Sequence, residues 1–330
     1  MHAITQKIKE LALFFDKELD NYILNLPSNP DNLYEPEKYI LKLGGKRLRP
    51  LMALLSAEAI GGKKERALHA ALAVEIFHNF SLVHDDIMDS APLRRGHATV
   101  HEKWNIPTAI LCGDNMLIHS IRQLLFYPPD LSSKMINFFL NTAQGVCEGQ
   151  QMDMDFENRD TVLPEEYVEM IRKKTAVLLG CSLSLGAMAA GATDEILNHF
   201  QAFGEFLGIS FQMMDDYLDT FASPDESGKI KGGDLLVGKK SMPYILADLN
   251  IKGNAALEWN NFKKLNREQK SEKLRDIILM LETENISYYC KEAAAGYAKR
   301  AEEALMKIPL SKDYKKLFTE LAEFLLQRKN

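Results

Sequence analysis

Apolar positions recur three and four residues apart along most of the chain, the spacing that places side chains on one face of a helix. Between Glu65 and Asp89 the stripe is Leu68, Leu72, Ile76, Phe80, Val83 and Ile87. The same period runs through 5–25, 132–152, 164–190, 194–221 and 312–328. Alternating apolar runs bounded by Asn-Gly or Asp-Gly do not occur, so the pattern predicts an all-α fold of ten or more helices. The punctuation agrees: Pro27 and Pro30 close the first helix, Pro128 and Pro129 separate two others, and Pro164 stands where a first helical turn tolerates it. The most apolar stretch, Ala176–Thr193, is broken by Ser182, Ser184 and several glycines. It falls short of the roughly 18–20 apolar residues that a membrane span needs, so stable membrane insertion is not expected.

The 330 residues would nominally allow two domains. No stretch reads as an interdomain linker, however, and the expectation is one large helical domain over 1–330. One segment stands apart, the glycine- and charge-rich loop at about 223–240. With 46% hydrophobic and 26% charged residues, the chain is an ordinary globular one. Its 40 basic and 46 acidic residues give a net charge of −6, which argues against broad nucleic-acid binding and requires any anion site to be local. Cys112, Cys147, Cys181 and Cys290 are widely spaced, suggesting neither a disulfide framework nor a zinc site. The N-terminus, MHAITQKIKELALFF, mixes charge into its apolar positions and does not read as a signal peptide, so a cytoplasmic protein is expected.

Two acidic clusters end apolar helical patterns: Asp85-Asp86-Ile87-Met88-Asp89 and Asp215-Asp216-Tyr217-Leu218-Asp219. At i and i+4, Asp85 and Asp89 share a helix face, as do Asp215 and Asp219. Like charges at this spacing, near the negative end of the helix dipole, are unfavourable until a cation joins them. Carboxylates without nearby Cys or His favour a hard ion, and Mg²⁺ suits them because it keeps waters and accepts phosphate oxygens. Basic residues able to hold phosphate follow: Lys46 and Arg49 in GGKRLRP, Arg94 and Arg95 after the first cluster, Lys173 and Lys174 before Thr175, and Lys229 and Lys239 in the glycine-rich loop. His78 lies two helical turns before Asp85 on a similar face, a candidate pocket residue. Neither a P-loop nor a dinucleotide-binding fingerprint is present.

GGKRLRP, SLVHDDIMDSAPLRRG, the Lys174-Thr175 pair, FQMMDDYLD and GKIKGGDLLVGKKSMP, in this order and spacing from about Gly44 to Pro243, resemble the head-to-tail trans-isoprenyl diphosphate synthases. The resemblance implies a single all-α domain with a deep central cavity, a homodimer, and isopentenyl and allylic diphosphates as substrates. It implies that Asp85, Asp89 and Asp215 hold Mg²⁺, three ions with substrate bound, with Asp216 and Asp219 supporting. Arg94, Lys174, Lys229 and Lys239 would contact the allylic diphosphate. Lys46, Arg49, His78 and Arg95 would bind isopentenyl diphosphate, and Thr175 and Gln212 would face the reacting carbon. Asp153 is a weaker candidate for the metal's outer shell.

Product length is expected to depend on the residues before the first cluster, Phe77, Phe80 and Ser81. The resemblance implies that a bulky Phe80, five positions before the cluster, limits the product, with the small Ser81 leaving a gap beside it. Geranylgeranyl diphosphate (C20) is favoured, with farnesyl diphosphate (C15) or a longer polyprenyl diphosphate as alternatives. A class I terpene cyclase would share the metal chemistry but needs no site for isopentenyl diphosphate. A non-catalytic subunit of a heteromeric synthase would be expected to lack metal-binding carboxylates, whereas all six aspartates are present here.

Overall fold

The computed structural model describes residues 2–222 and 231–326, with side chains from Gln6. Helices dominate it, as the apolar period predicts. The strands among the described residues form one hairpin, Leu93–Arg94 paired antiparallel with His97–Ala98. Its turn puts Arg95 (φ 53°) and Gly96 (φ 78°) in the left-handed region, the geometry of a tight two-residue hairpin turn. Arg-Gly is not a strong hairpin signal, and each strand is too short for alternation to show in the sequence.

By contacts the chain divides into two compact units, each discontinuous in sequence: Met1–Asn141 with Cys181–Asn198 and Pro309–Tyr314, and Thr142–Gly180 with His199–Ile308 and Lys315–Asn330. In the first unit, α1 (His2–Leu24), α2 (Asp31–Lys42), α3 (Leu48–Ala59) and α4 (Leu68–Met88) are followed by the hairpin, α5 (Val100–Lys103) and α6 (Ile106–Leu124). Helix α4 packs against both α3 and α6, and Ala70–Phe77 is buried around the whole helix. The apolar stripe read from sequence therefore widens into a fully enclosed segment, because the helix is central.

Helices α7 (Pro129–Glu157), α9 (Val177–Ala189) and α10 (Asp194–Phe221) each contribute residues to both units. The apolar stretch at 176–193 serves as a core helix. A Cβ on Gly186 would lie 1.9 Å from the Ala53 carbonyl oxygen, and Ser56 donates to the Leu183 carbonyl at 2.7 Å. Only a glycine permits that approach. No helix among the described residues is long and apolar enough to cross a membrane.

The second unit contains α8 (Pro164–Ile171), α11 (Gly233–Val237), α12 (Met242–Asn250), α13 (Gly253–Lys263), α14 (Arg267–Thr283), α15 (Ile286–Lys307) and most of α16 (Lys312–Leu326). Its core includes Tyr167, Ile209, Met213, Tyr244, Trp259, Phe262, Ile278 and Leu281. The continuous helix expected over 164–190 is interrupted at Arg172–Ala176 by a π-helical turn.

Candidate active site

In the first unit, the last turn of α4 carries the first acidic cluster. Asp86 is 1% exposed and is gripped by Arg94 from the hairpin: Nε donates to both carboxylate oxygens at 2.8 and 2.9 Å, and Nη2 donates to Oδ1 at 2.7 Å. Burial disfavours the charged guanidinium, but the bond to Asp86 and the nearby Asp85 and Asp89 outweigh it and raise the Arg94 pKa. Asp85 is half-buried and Asp89 exposed, so the two carboxylates that share a face are those with more access to water. This oxygen-only pair fits Mg²⁺, which takes few protein carboxylates and fills its shell with water and substrate oxygens. Among the described residues, no three His, Cys, Asp or Glu side chains converge as a metal cage.

A second, largely basic centre lies in the same unit. Arg49 Nη1 faces His78 Nε2 at 3.1 Å, and because arginine can only donate, that ring nitrogen accepts. Burial and then Arg49, Arg95, Arg94 and Arg47 hold the imidazole well below its ordinary pKa, so His78 is neutral. Burial also lowers Arg49 to about 10, with Glu75 opposing and Arg95 adding. The buried Arg49 Nε finds no hydrogen-bond partner among the described residues. Arg95 donates to the Gly44 carbonyl and fills the space where a Cβ on Gly45 would sit, 2.9 Å from its Nη2. Lys46 is exposed on the same turn. The intervening Arg47 is structural, buried and bonded to Glu75 at 2.5 Å and to the Leu41 carbonyl at 2.9 Å.

The residues assigned to product length stack behind this helix end. Phe80 is 8% exposed, with its ring 5.2 Å from Phe77 and 4.9 Å from His84. Phe77 is fully buried and meets Phe139 edge-on at 5.2 Å, so it backs Phe80 from within the core. Ser81 is partly exposed and turns its hydroxyl back to the His78 carbonyl at 2.8 Å.

In the second unit, Lys174 and Thr175 sit on the π-turn, a distortion common at functional positions. Lys174 binds Asp153 at 2.6 Å, which gives Asp153 a partner in the protein, and Lys173 binds Glu148 at 2.6 Å. A Cβ on Gly149 would lie 2.2 Å from the Lys174 nitrogen, so α7 approaches the turn at backbone distance. Thr175 Oγ1 is 3.5 Å from Gln212 Oε1, and Gln212 Nε2 donates to Asp216 Oδ1 at 3.0 Å.

The three aspartates of the second cluster divide their work. Asp216 is buried and accepts from Tyr167 Oη at 2.6 Å and from the Met242 amide at 3.1 Å as well as from Gln212. Burial raises its pKa, while Tyr167, Lys239 and Gln212 act in the opposite direction. Asp219 accepts from the Asp234 amide at 2.9 Å, and its carbonyl accepts from the Gly232 amide at 2.6 Å, fixing the segment that leads to Lys239. Asp215 is half-buried. Lys229, and residues 223–230 of the loop expected at 223–240, lie outside the described residues.

Residues 30–281 match the polyprenyl synthetase family. The chain belongs to that family. It is 38% identical over 327 residues to the geranylgeranyl pyrophosphate synthase of Geoglobus acetivorans, covering 98% of this chain and 99% of the relative. It is likewise 38% identical to the geranylgeranyl diphosphate synthase of Saccharolobus solfataricus, covering 97% and 98%. A solved geranylgeranyl pyrophosphate synthase superposes with a TM-score of 0.93 at 41% identity over 98% of this chain and 99% of that one. In this polyprenyl synthetase, sequence reasoning missed Tyr167, whose tyrosine is unremarkable until its hydroxyl is seen on Asp216, and the π-turn under Lys174 and Thr175, which leaves no compositional mark.

Proposed function

We propose that this chain is a head-to-tail trans-prenyltransferase that condenses isopentenyl diphosphate with an allylic diphosphate, with C20 geranylgeranyl diphosphate as its main product. The observation that carries the reading is the Arg49–His78–Arg95 cluster, a basic centre built around a neutral imidazole whose Nε2 accepts from Arg49. An enzyme that only ionises a single allylic diphosphate has no use for it. Near full-length likeness to geranylgeranyl diphosphate synthases supports the product.

Lys46, Arg49, His78 and Arg95 hold isopentenyl diphosphate by charge-assisted hydrogen bonds. Arg94, Lys174, Lys229 and Lys239 neutralise the allylic diphosphate. Asp85, Asp89 and Asp215 are the carboxylates that would hold Mg²⁺, which when bound would supply Lewis-acid charge to that leaving group. Asp216 and Asp219 support the arrangement by fixing the protein around Asp215. As the allylic C1–O bond breaks, the oxygen dipoles of Thr175 and Gln212 stabilise positive charge on carbon. The isopentenyl double bond attacks C1, and the released diphosphate then takes a proton from the new cation, which restores an allylic diphosphate. Phe80, backed by Phe77, stops the growing tail.

The working form we propose is a cytoplasmic homodimer. Support for a second copy comes from α6 and the residue that caps it, where Leu111, Ile118 and Leu125 are 60%, 55% and 62% exposed at heptad spacing, with Ile110 beside them. Arg49→Ala tests the substrate assignment: it raises the KM for isopentenyl diphosphate more than that for the allylic substrate. The reverse ranking would exchange the two sites.

A further inference from the structure

We infer that Tyr167, acting through Asp216, fixes the side-chain amide of Gln212 with its carbonyl oxygen toward Thr175, which makes Tyr167 a positioning residue for the condensation. The inference deepens the functional reading above and rests on it for the role of Gln212. Asp216 meets three donors: Tyr167 Oη and the Met242 amide at Oδ2, and Gln212 Nε2 at Oδ1. Gln212 gives Nε2 to Oδ1, so the NH₂ end of its amide is turned to Asp216. The carbonyl end then has one place to go, and Oε1 lies 3.5 Å from Thr175 Oγ1. That separation makes a weak hydrogen bond and leaves lone pairs available on both oxygens. Two oxygen dipoles held together favour a cation and repel an anion. A flipped amide would present N–H groups there and favour the reverse.

Tyr167 matters because it keeps Asp216 in place as the reference for the flip. Its side chain is 1% exposed, and at 2.6 Å its hydroxyl makes the shortest of the three contacts to Asp216. The phenol thus stands two hydrogen bonds from the Gln212 carbonyl without reaching substrate itself. Removal of its hydroxyl leaves the ring in the core and loosens only the carboxylate.

The test is Tyr167→Phe, made in the wild-type chain and in Gln212→Ala. Turnover should fall on the order of tenfold in the wild-type background, less than the loss of a complete preorganised dipole. Both KM values should stay within twofold, and the substitution should add nothing in Gln212→Ala. The Gln212 side-chain amide resonance of ¹⁵N-labelled protein, identified by its loss in Gln212→Ala, should shift in Tyr167→Phe. An unmoved resonance, or kcat losses that multiply in the double variant, would overturn the inference. The resonance is read without substrate, so it tests the orientation even if the wild-type chain made no product, a result that would count against the functional reading alone.

Discussion

Arg94 closes on Asp86 through three N–H···O contacts of 2.7–2.9 Å, and so removes the middle aspartate of the first cluster from solvent. A run of three carboxylates at the negative end of a helix would repel itself. With Asp86 neutralised by the hairpin, the cluster presents Asp85 and Asp89 on one face. The same pair fixes the hairpin whose turn carries Arg95, so it ties the acidic cluster to the basic centre within the first unit.

Arg94→Ala should therefore destabilise the protein by about 1–3 kcal/mol, the cost of stranding a buried acceptor, in addition to slowing turnover. Asp85→Ala should leave the unfolding midpoint near the wild-type value while turnover falls on the order of 10³-fold, the scale of losing several kcal/mol of leaving-group stabilisation. Denaturant melts of both variants check the contrast. Equal stability losses would make Asp85 a structural residue.

His78 gives the chain a pH dependence of known sign. Burial and four arginines depress its pKa in the folded protein, whereas the unfolded chain titrates near the ordinary value of about 6.5. Above that value the imidazole is neutral in both states and nothing is lost. As pH falls from about 6.5 toward the depressed folded value, only the unfolded state takes up the proton, so stability declines. His78→Gln should flatten this part of the profile between pH 5 and 7 in thermal melts. A variant that tracks the wild type throughout would contradict the assignment.

Phe77 and Phe80 should separate cleanly. Phe80→Ala should lengthen the product with a modest stability change. Phe77→Ala, deep in the core against Phe139, should cost about 3–5 kcal/mol. Product chromatography with melting curves tells them apart, and an unchanged product from Phe80→Ala would return Phe80 to core packing.

Much of this was legible beforehand because the signals are local. Helix α4 follows from the apolar stripe at 68–87, and the observed helix ends at Met88, beside the acidic run that sequence placed at a helix end. The Arg49–His78 contact was not, since 29 residues separate partners that meet only when α3 packs on α4. Periodicity alone also could not divide Arg47 from Arg49 in GGKRLRP. Arg47 enters the core because Glu75 waits there as its partner, a fact of tertiary packing. The π-turn under Lys174 escaped for a similar reason: it lies where Gly149, 25 residues away, is backed against the Lys174 nitrogen, and no residue type announces it.

The most direct test is to incubate the purified chain with Mg²⁺, labelled isopentenyl diphosphate and, separately, dimethylallyl, geranyl or farnesyl diphosphate, then resolve the dephosphorylated alcohols by mass. A discrete C20 alcohol, abolished by chelating the metal, is the predicted result. No elongation from any primer would contradict the account.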